Sequence, residues 1–207
     1  MGLAVNKYCF ITPEKVCING QKLFDLDARE PHEKSLVQAY RNLEIEYPKF
    51  FKMDNLSKLA LLASECILKN TDLYEIKDKG NVAVVLSNAS SSLVTDSNYH
   101  QTIDEPANYF PSPSLFVYTL PNIAIGEICI KHKIFGENIF FVSRQFDSSV
   151  LYLYVNELFG KTYTDYCIAG WVECNVKTYE AFLFLVEKGT NGRAFDTMTL
   201  DNLYKTK

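Results

Sequence analysis

A chain of 207 residues that is 47% hydrophobic and 14% aromatic can bury one sizeable core, so a single domain over 1–207 is expected. A net charge of -4 without a long run of one sign gives no electrostatic case for nucleic acid or an anionic membrane surface as partner. The cysteines, Cys9, Cys17, Cys66, Cys129, Cys167 and Cys174, show neither CxxC nor paired Cys/His spacing. They read as buried free thiols rather than metal ligands. No stretch reaches the roughly 18 consecutive apolar residues of a membrane span, and a cytoplasmic location is expected.

In chain order, residues 5–12 form a first strand ended by Pro13, and residues 16–18 and 22–24 flank Asn19-Gly20, a two-residue hairpin signal. Residues 33–46 follow a helical pattern. Pro48 interrupts it before a second helix that Asp54 or Asn55 can cap, with Met53, Leu56, Ala60, Ala63 and Ile67 on its core face. Lys49, Lys52 and Lys58 read as a solvated helix end, and residues 70–80 as a loop. Residues 82–86, VAVVL, suit a strand covered on both faces. From SNASSS at 87–92 to residue 114 the chain is polar and proline-punctuated, as in a surface excursion. Residues 122–133 then read as a closely packed helix.

The stretch 136–159 organises the rest. It predicts a short buried strand at 139–142, a tight turn at 143–145 and a helix over 146–159. Phe146, Val150, Leu151, Leu153, Val155, Leu158 and Phe159, with Tyr152 and Tyr154 between them, put apolar groups around most of that helix, which predicts burial on several sides. A strand turning sharply into a helix is where many enzymes hold a nucleophile at the positive end of the helix dipole. Here the turn offers Ser143, Arg144 and Gln145, and no cysteine. Strands at 166–173 and 179–186 follow, then a polar tail over 188–207 whose apolar anchors are Phe195, Met198, Leu200 and Leu203. The alternation of strands and helices predicts an α/β fold with a mostly parallel five-stranded sheet and a buried central helix.

Three runs carry a resemblance. KMDNLSKLALLASECIL resembles the segment of β-ketoacyl synthases that opens with Met-Asp and continues as an alanine-rich helix. SPSLFVYTLPNIAIGEICIKHKIFGENIFFVS is similar to their Ser-Pro, Pro-Asn-x-Ala-x-Gly and Leu-x-Gly-Pro stretch before the catalytic turn. DYCIAGWVE resembles the Ala-Asp-x-x-x-x-Gly-Gly-x-Glu strand that follows the nucleophile helix. The matches keep their order from about residue 5 to residue 186.

The resemblance implies the N-terminal half of the thiolase fold. It places Gln145 where the family has its catalytic cysteine, and a glutamine amide has no thiol with which to form a thioester. Glutamine there is similar to chain-length-factor subunits and to decarboxylating initiation ketosynthases. The family's two catalytic histidines belong to a C-terminal half that this chain is expected to lack, and His32, His100 and His132 match no family histidine motif. A short turn also stands where the family has a glycine-rich Asp-Gly segment between its last two strands.

The resemblance therefore implies a non-catalytic, chain-length-factor-like partner of a catalytic ketosynthase in type II fatty-acid or polyketide synthesis, of the aryl polyene or flexirubin-like kind. No cofactor is implied, and an acyl carrier protein is a further partner. Phe116, Tyr118 and Asn122 match the segment near the acyl tunnel at the interface, with Ser143 and Phe146 beside the vestigial site. Ile139, Phe140, Phe141 and Val142 fall at the family's dimer contact, so a heterodimer or homodimer is expected. Plain core packing is the other reading of Phe116 and Tyr118, and backbone bonding that of Asn122. Two rivals remain open: a stand-alone acyl transferase or hydrolase using Ser143, or Cys129 with His132, and a homodimeric scaffold binding an acyl chain or carrier protein.

Overall fold

The computed structural model of the chain describes residues 2–76 and 79–206. The strands are β1 (Leu3–Ile11), β2 (Lys15–Ile18), β3 (Gln21–Asp25), β4 (Val82–Asn88), β5 (Asn138–Val142), β6 (Tyr166–Cys174), β7 (Tyr179–Lys188) and β8 (Arg193–Ala194). The helices are α1 (His32–Asn42), α2 (Asn55–Leu68), α3 (Asp72–Glu75), α4 (Leu93–His100), α5 (Pro113–Val117), α6 (Ile123–His132), α7 (Ser148–Lys161) and α8 (Thr197–Lys205). Two short 3-10 turns, Pro48–Lys52 and Pro106–Asn108, each begin at a proline.

The strands join one sheet in the order β3-β2-β1-β7-β6-β4-β5, with β8 also paired to β1. The α/β layering is as the alternation predicted, but the sheet is mixed. Among the described strands the parallel pairs are β4 with β5 and β4 with β6. The other pairs are antiparallel. The physical reason is loop length. Strands β6 and β7 are joined by a turn in which Asn175 N–H donates to Thr178 O at 3.0 Å and the Asn175 side chain accepts from Lys177 and Thr178. So short a link permits only reversal, whereas parallel neighbours need a long crossover. The Asn19-Gly20 hairpin has positive φ at both residues, 51° and 80°, the geometry that favours this dipeptide.

Each face of the sheet carries a separate apolar core. On one, α1, α2 and α6 cover residues such as Ile11, Val84, Ile168 and Leu183. On the other, α7 and α8 cover Val5, Val85, Ala169 and Phe184. The central buried helix is α2, in which every residue from Leu56 to Leu68 is buried. Asp54 caps it by accepting from Ser57 N–H at 2.9 Å. Lys58, expected in solvent, is also buried, with its Nζ 3.1 Å from Glu33, and Lys49 pairs with Glu127 at 2.8 Å.

Helix α7 corrects the expectation for 146–159. It begins at Ser148, after Asp147 accepts from Ser149 and Val150 N–H at 2.9 and 3.1 Å. Only Ser148, Leu151, Val155 and Leu158 are buried, and Leu153 is 68% exposed. The sheet covers one side, while α8 lies alongside. Strand β5 corrects its own expectation in the same way. It lies at the edge of the sheet, with Ile139, Phe140 and Phe141 half-buried and Val142 exposed.

The excursion over 87–114 contains α4, and the 70–80 loop contains α3, while residues 77 and 78 lie outside the described residues. In the 188–207 tail Phe195, Leu200 and Leu203 are buried as expected, but Met198 is exposed. Among the described residues no helix is long and apolar enough to cross a membrane.

Candidate functional site

Because β5, β4 and β6 are parallel neighbours, their C-terminal ends reach one edge of the sheet together. Such an edge is where open α/β sheets form binding crevices. Ser143 N–H donates to Asn88 O at 2.8 Å, which ties the turn after β5 to the end of β4. Asn88 holds the turn after β4 through its carboxamide, accepting from Ser91 N–H and donating to Ser91 O, both at 2.9 Å. That bond set fixes Ser91 at a φ of 51°. From β6, Glu173 Oε2 accepts from Ala89 N–H at 2.7 Å and Ser90 N–H at 3.1 Å. One carboxylate thus clamps the loop in place.

A groove of about 650 Å³ lies here, with Arg144, Gln145, Phe146, Trp171, Glu173 and Tyr204 among its lining residues. Gln145 is exposed. Phe146 stacks on Tyr204 at 4.4 Å and meets Phe182 edge-on at 5.5 Å. Tyr204 donates its hydroxyl to Glu180, and burial beside that carboxylate pushes the phenol well above its ordinary value. Gly170 allows β6 to run this close to β7, since a Cβ there would lie 2.0 Å from Phe182 O. Trp171 Nε1 and Glu173 Oε1 are buried and have no hydrogen-bond partner among the described residues.

Gln145 and Phe146 come together at this groove, whereas Ser143, Phe116, Tyr118 and Asn122 are not among its lining residues. Tyr118 belongs to the α2-side core and donates to Glu127 Oε1 at 3.0 Å, and burial, with that bond, raises its phenol. Phe116 is 55% exposed with its ring 5.4 Å from Tyr99. Asn122 is exposed at the start of α6 and makes no capping bond with its side chain.

The pairing of Cys129 with His132 gains no support. His132 is buried rather than solvated, with Nε2 3.3 Å from Ser64 Oγ and 3.4 Å from Glu65 Oε1. Burial, with Lys131 and Lys79 nearby, pulls its imidazole down to about 3. Burial pushes the Cys129 thiol up to about 11, which leaves almost no thiolate near neutrality. Among the described residues no hydrogen bond joins Ser143 to a histidine, and no group of three or more His, Cys, Asp or Glu side chains is placed to hold a metal.

Trp171, Glu173 and Tyr204 were not singled out from sequence. Positions 171 and 173 share a face because strand side chains alternate, a signal the sequence itself carries. The arrival of Tyr204 depends on how the tail packs.

No protein-family model matches the chain. No curated protein matches it either. Solved structures do. The ishigamide ketosynthase/chain length factor superposes with a TM-score of 0.67 at 17% identity, over 91% of this chain and 63% of that one. The ketosynthase ApeO in complex with its chain length factor ApeC, from Xenorhabdus doucetiae, gives 0.58 at 13% identity, over 92% of this chain and 80% of that one. AntDE:AntF, a type II polyketide acyl-carrier protein in complex with its ketosynthase, gives 0.58 at 13% identity, over 90% and 62%. The chain has the thiolase-like fold of ketosynthases, and it spans 63% of the length of the ishigamide structure.

Proposed function

We propose that this chain is a non-catalytic, chain-length-factor-like subunit that pairs with a catalytic ketosynthase. The observation that carries the proposal is Gln145, which stands exposed in the groove at the strand–turn–helix junction of a ketosynthase fold. A carboxamide cannot attack an acyl thioester, so acyl transfer at this junction falls to a partner's thiol. The similar solved structures include a chain length factor bound to its ketosynthase and a carrier protein bound to a ketosynthase, which supports partners of the same kinds here.

The association surface in this reading is the edge of β5 that pairs with no further strand among the described residues, together with the outer face of α7. Val142 and Leu153 are 59% and 68% exposed, and Phe141 meets Tyr154 edge-on at 5.3 Å. An unpaired strand edge next to exposed apolar side chains favours association. Phe116, Tyr118 and Asn122 act in this reading on the length of the acyl chain carried by the pair, in type II fatty-acid or aryl polyene-like polyketide synthesis. The test is acyl loading from a carrier-protein thioester. The isolated chain should take up no acyl group, whereas its mixture with a ketosynthase should load on the ketosynthase alone. A stable acyl adduct on the isolated chain would overturn the proposal.

A further inference from the structure

The floor of the groove beside Gln145 holds two hydrogen-bonding groups of opposite sense. Trp171 and Glu173 are 3% and 7% exposed, and Trp171 Nε1–H, a donor, and Glu173 Oε1, an acceptor, both lack a partner among the described residues. Leaving such groups unpaired in a protein interior is unfavourable, by more for the charged one. The second oxygen of Glu173 is committed to the 89–90 backbone, which fixes the carboxylate's orientation. Trp171 is held on the same strand behind Gly170, whose neighbourhood admits no side chain.

Two residues apart on a strand, the two side chains share a face, with their Cα atoms about 6.7 Å apart along it. A trans amide points its C=O and N–H in opposite directions. Hydrogen-bonded at both ends, it bridges a donor and an acceptor presented from neighbouring positions of one face. Charge selects no ion, because the rim carries Arg144 and Lys205 together with Glu180 and Asp201. A metal is disfavoured because an indole N–H cannot ligate and no suitable trio of ligands lies here among the described residues.

We propose that Trp171 and Glu173 form the floor of a binding site for an uncharged secondary amide, whose carbonyl accepts from Trp171 Nε1–H and whose N–H donates to Glu173 Oε1. The exposed Arg144 and Gln145 side chains stand at the lip, and the ligand enters by parting them. This site needs no partner chain, so it stands or falls separately from the subunit assignment.

Trp171 is the sole tryptophan of the sequence, so its fluorescence reports this groove alone. The intact chain is titrated with N-methylbutyramide, with methyl butyrate and with N,N-dimethylbutyramide, the last two lacking the N–H donor. The secondary amide is expected to shift the emission saturably and to bind about tenfold or more tightly than either control, as loss of a bond to a charged acceptor implies. In Glu173→Gln the side-chain oxygen stays with the 89–90 backbone and an NH₂ replaces Oε1, so the amide's advantage should vanish or reverse. A thermal melt verifies that this variant is folded, and the three-probe comparison on the unchanged chain decides the matter if it is not. Equal responses to all three probes, no saturable response, or an amide preference retained in folded Glu173→Gln would overturn the proposal.

Discussion

Tyr204 stacks on Phe146 with ring centroids 4.4 Å apart and planes 24° from parallel. Phe146 lies in the turn that leads into α7, and Tyr204 comes from α8, so the tail is fastened against the candidate site. Tyr204 also donates to Glu180 on β7, which links three separate parts of the chain at one point.

Tyr204→Ala should therefore destabilise the chain by about 2–3 kcal/mol, somewhat less than a fully buried aromatic truncation because the ring is only half-buried. Tyr204→Phe keeps the stack and loses only the hydroxyl, for about 1 kcal/mol. Urea unfolding of the two variants checks the ordering. Equal losses would mean that the stack contributes little.

Asp54 accepts from Ser57 N–H at 2.9 Å and from Thr95 Oγ1 at 2.8 Å, joining the start of α2 to α4. Asp54→Ala should lower stability by about 1–2 kcal/mol, and Asp54→Asn by less, since its oxygen can still cap. Burial already pushes the Asp54 carboxyl up, which reduces the advantage of charge at this cap. Chemical denaturation of both variants is the measurement.

The buried His132 sets an acid limit. Its imidazole is held at about 3 in the folded chain against an ordinary value of 6.5, so the unfolded chain binds the proton first. The stability contributed by keeping it neutral is complete above about pH 6.5 and is lost progressively as pH falls towards 3. Burial pushes neighbouring Glu65 the other way, so the comparison is made between variants rather than from one curve. His132→Gln should flatten the fall in stability between pH 6 and pH 4 by on the order of a few kcal/mol. Unchanged slopes would remove His132 from the account.

Much of this architecture was legible because local signals agreed. Asn19-Gly20 announced the first hairpin, Asp54 the start of α2, and VAVVL a strand buried on both faces. Other features depended on distant partners. Lys58 read as part of a solvated helix end, yet it is buried and pairs with Glu33, while Glu65 on the same helix lies near Lys131 and His132. Helix α7 shows the converse. Apolar side chains around most of its circumference suggested burial on several sides, but such side chains do not supply their own cover, and Leu153 faces outward. The strand-turn-helix around Gln145 was readable in order, whereas the groove also needed Tyr204, which reaches it from the far end of the sequence.

If β5 and α7 form the association surface, one charge on each should weaken pairing without harming the fold. Val142→Lys and Leu153→Glu alter exposed side chains, so each should change stability by no more than about 0.5 kcal/mol. Together they should weaken association with a partner at least about tenfold. Analytical ultracentrifugation and a thermal melt separate the two effects. Intact pairing in the double variant would move the interface elsewhere.

The central claim is pairing with a ketosynthase, and its most direct test is affinity capture of the tagged chain from its native host, with mass spectrometry and stoichiometry of what accompanies it. The account predicts a ketosynthase in equal amount, lost when Val142→Lys and Leu153→Glu are combined. Recovery of the chain alone, as a stable homodimer, would contradict it.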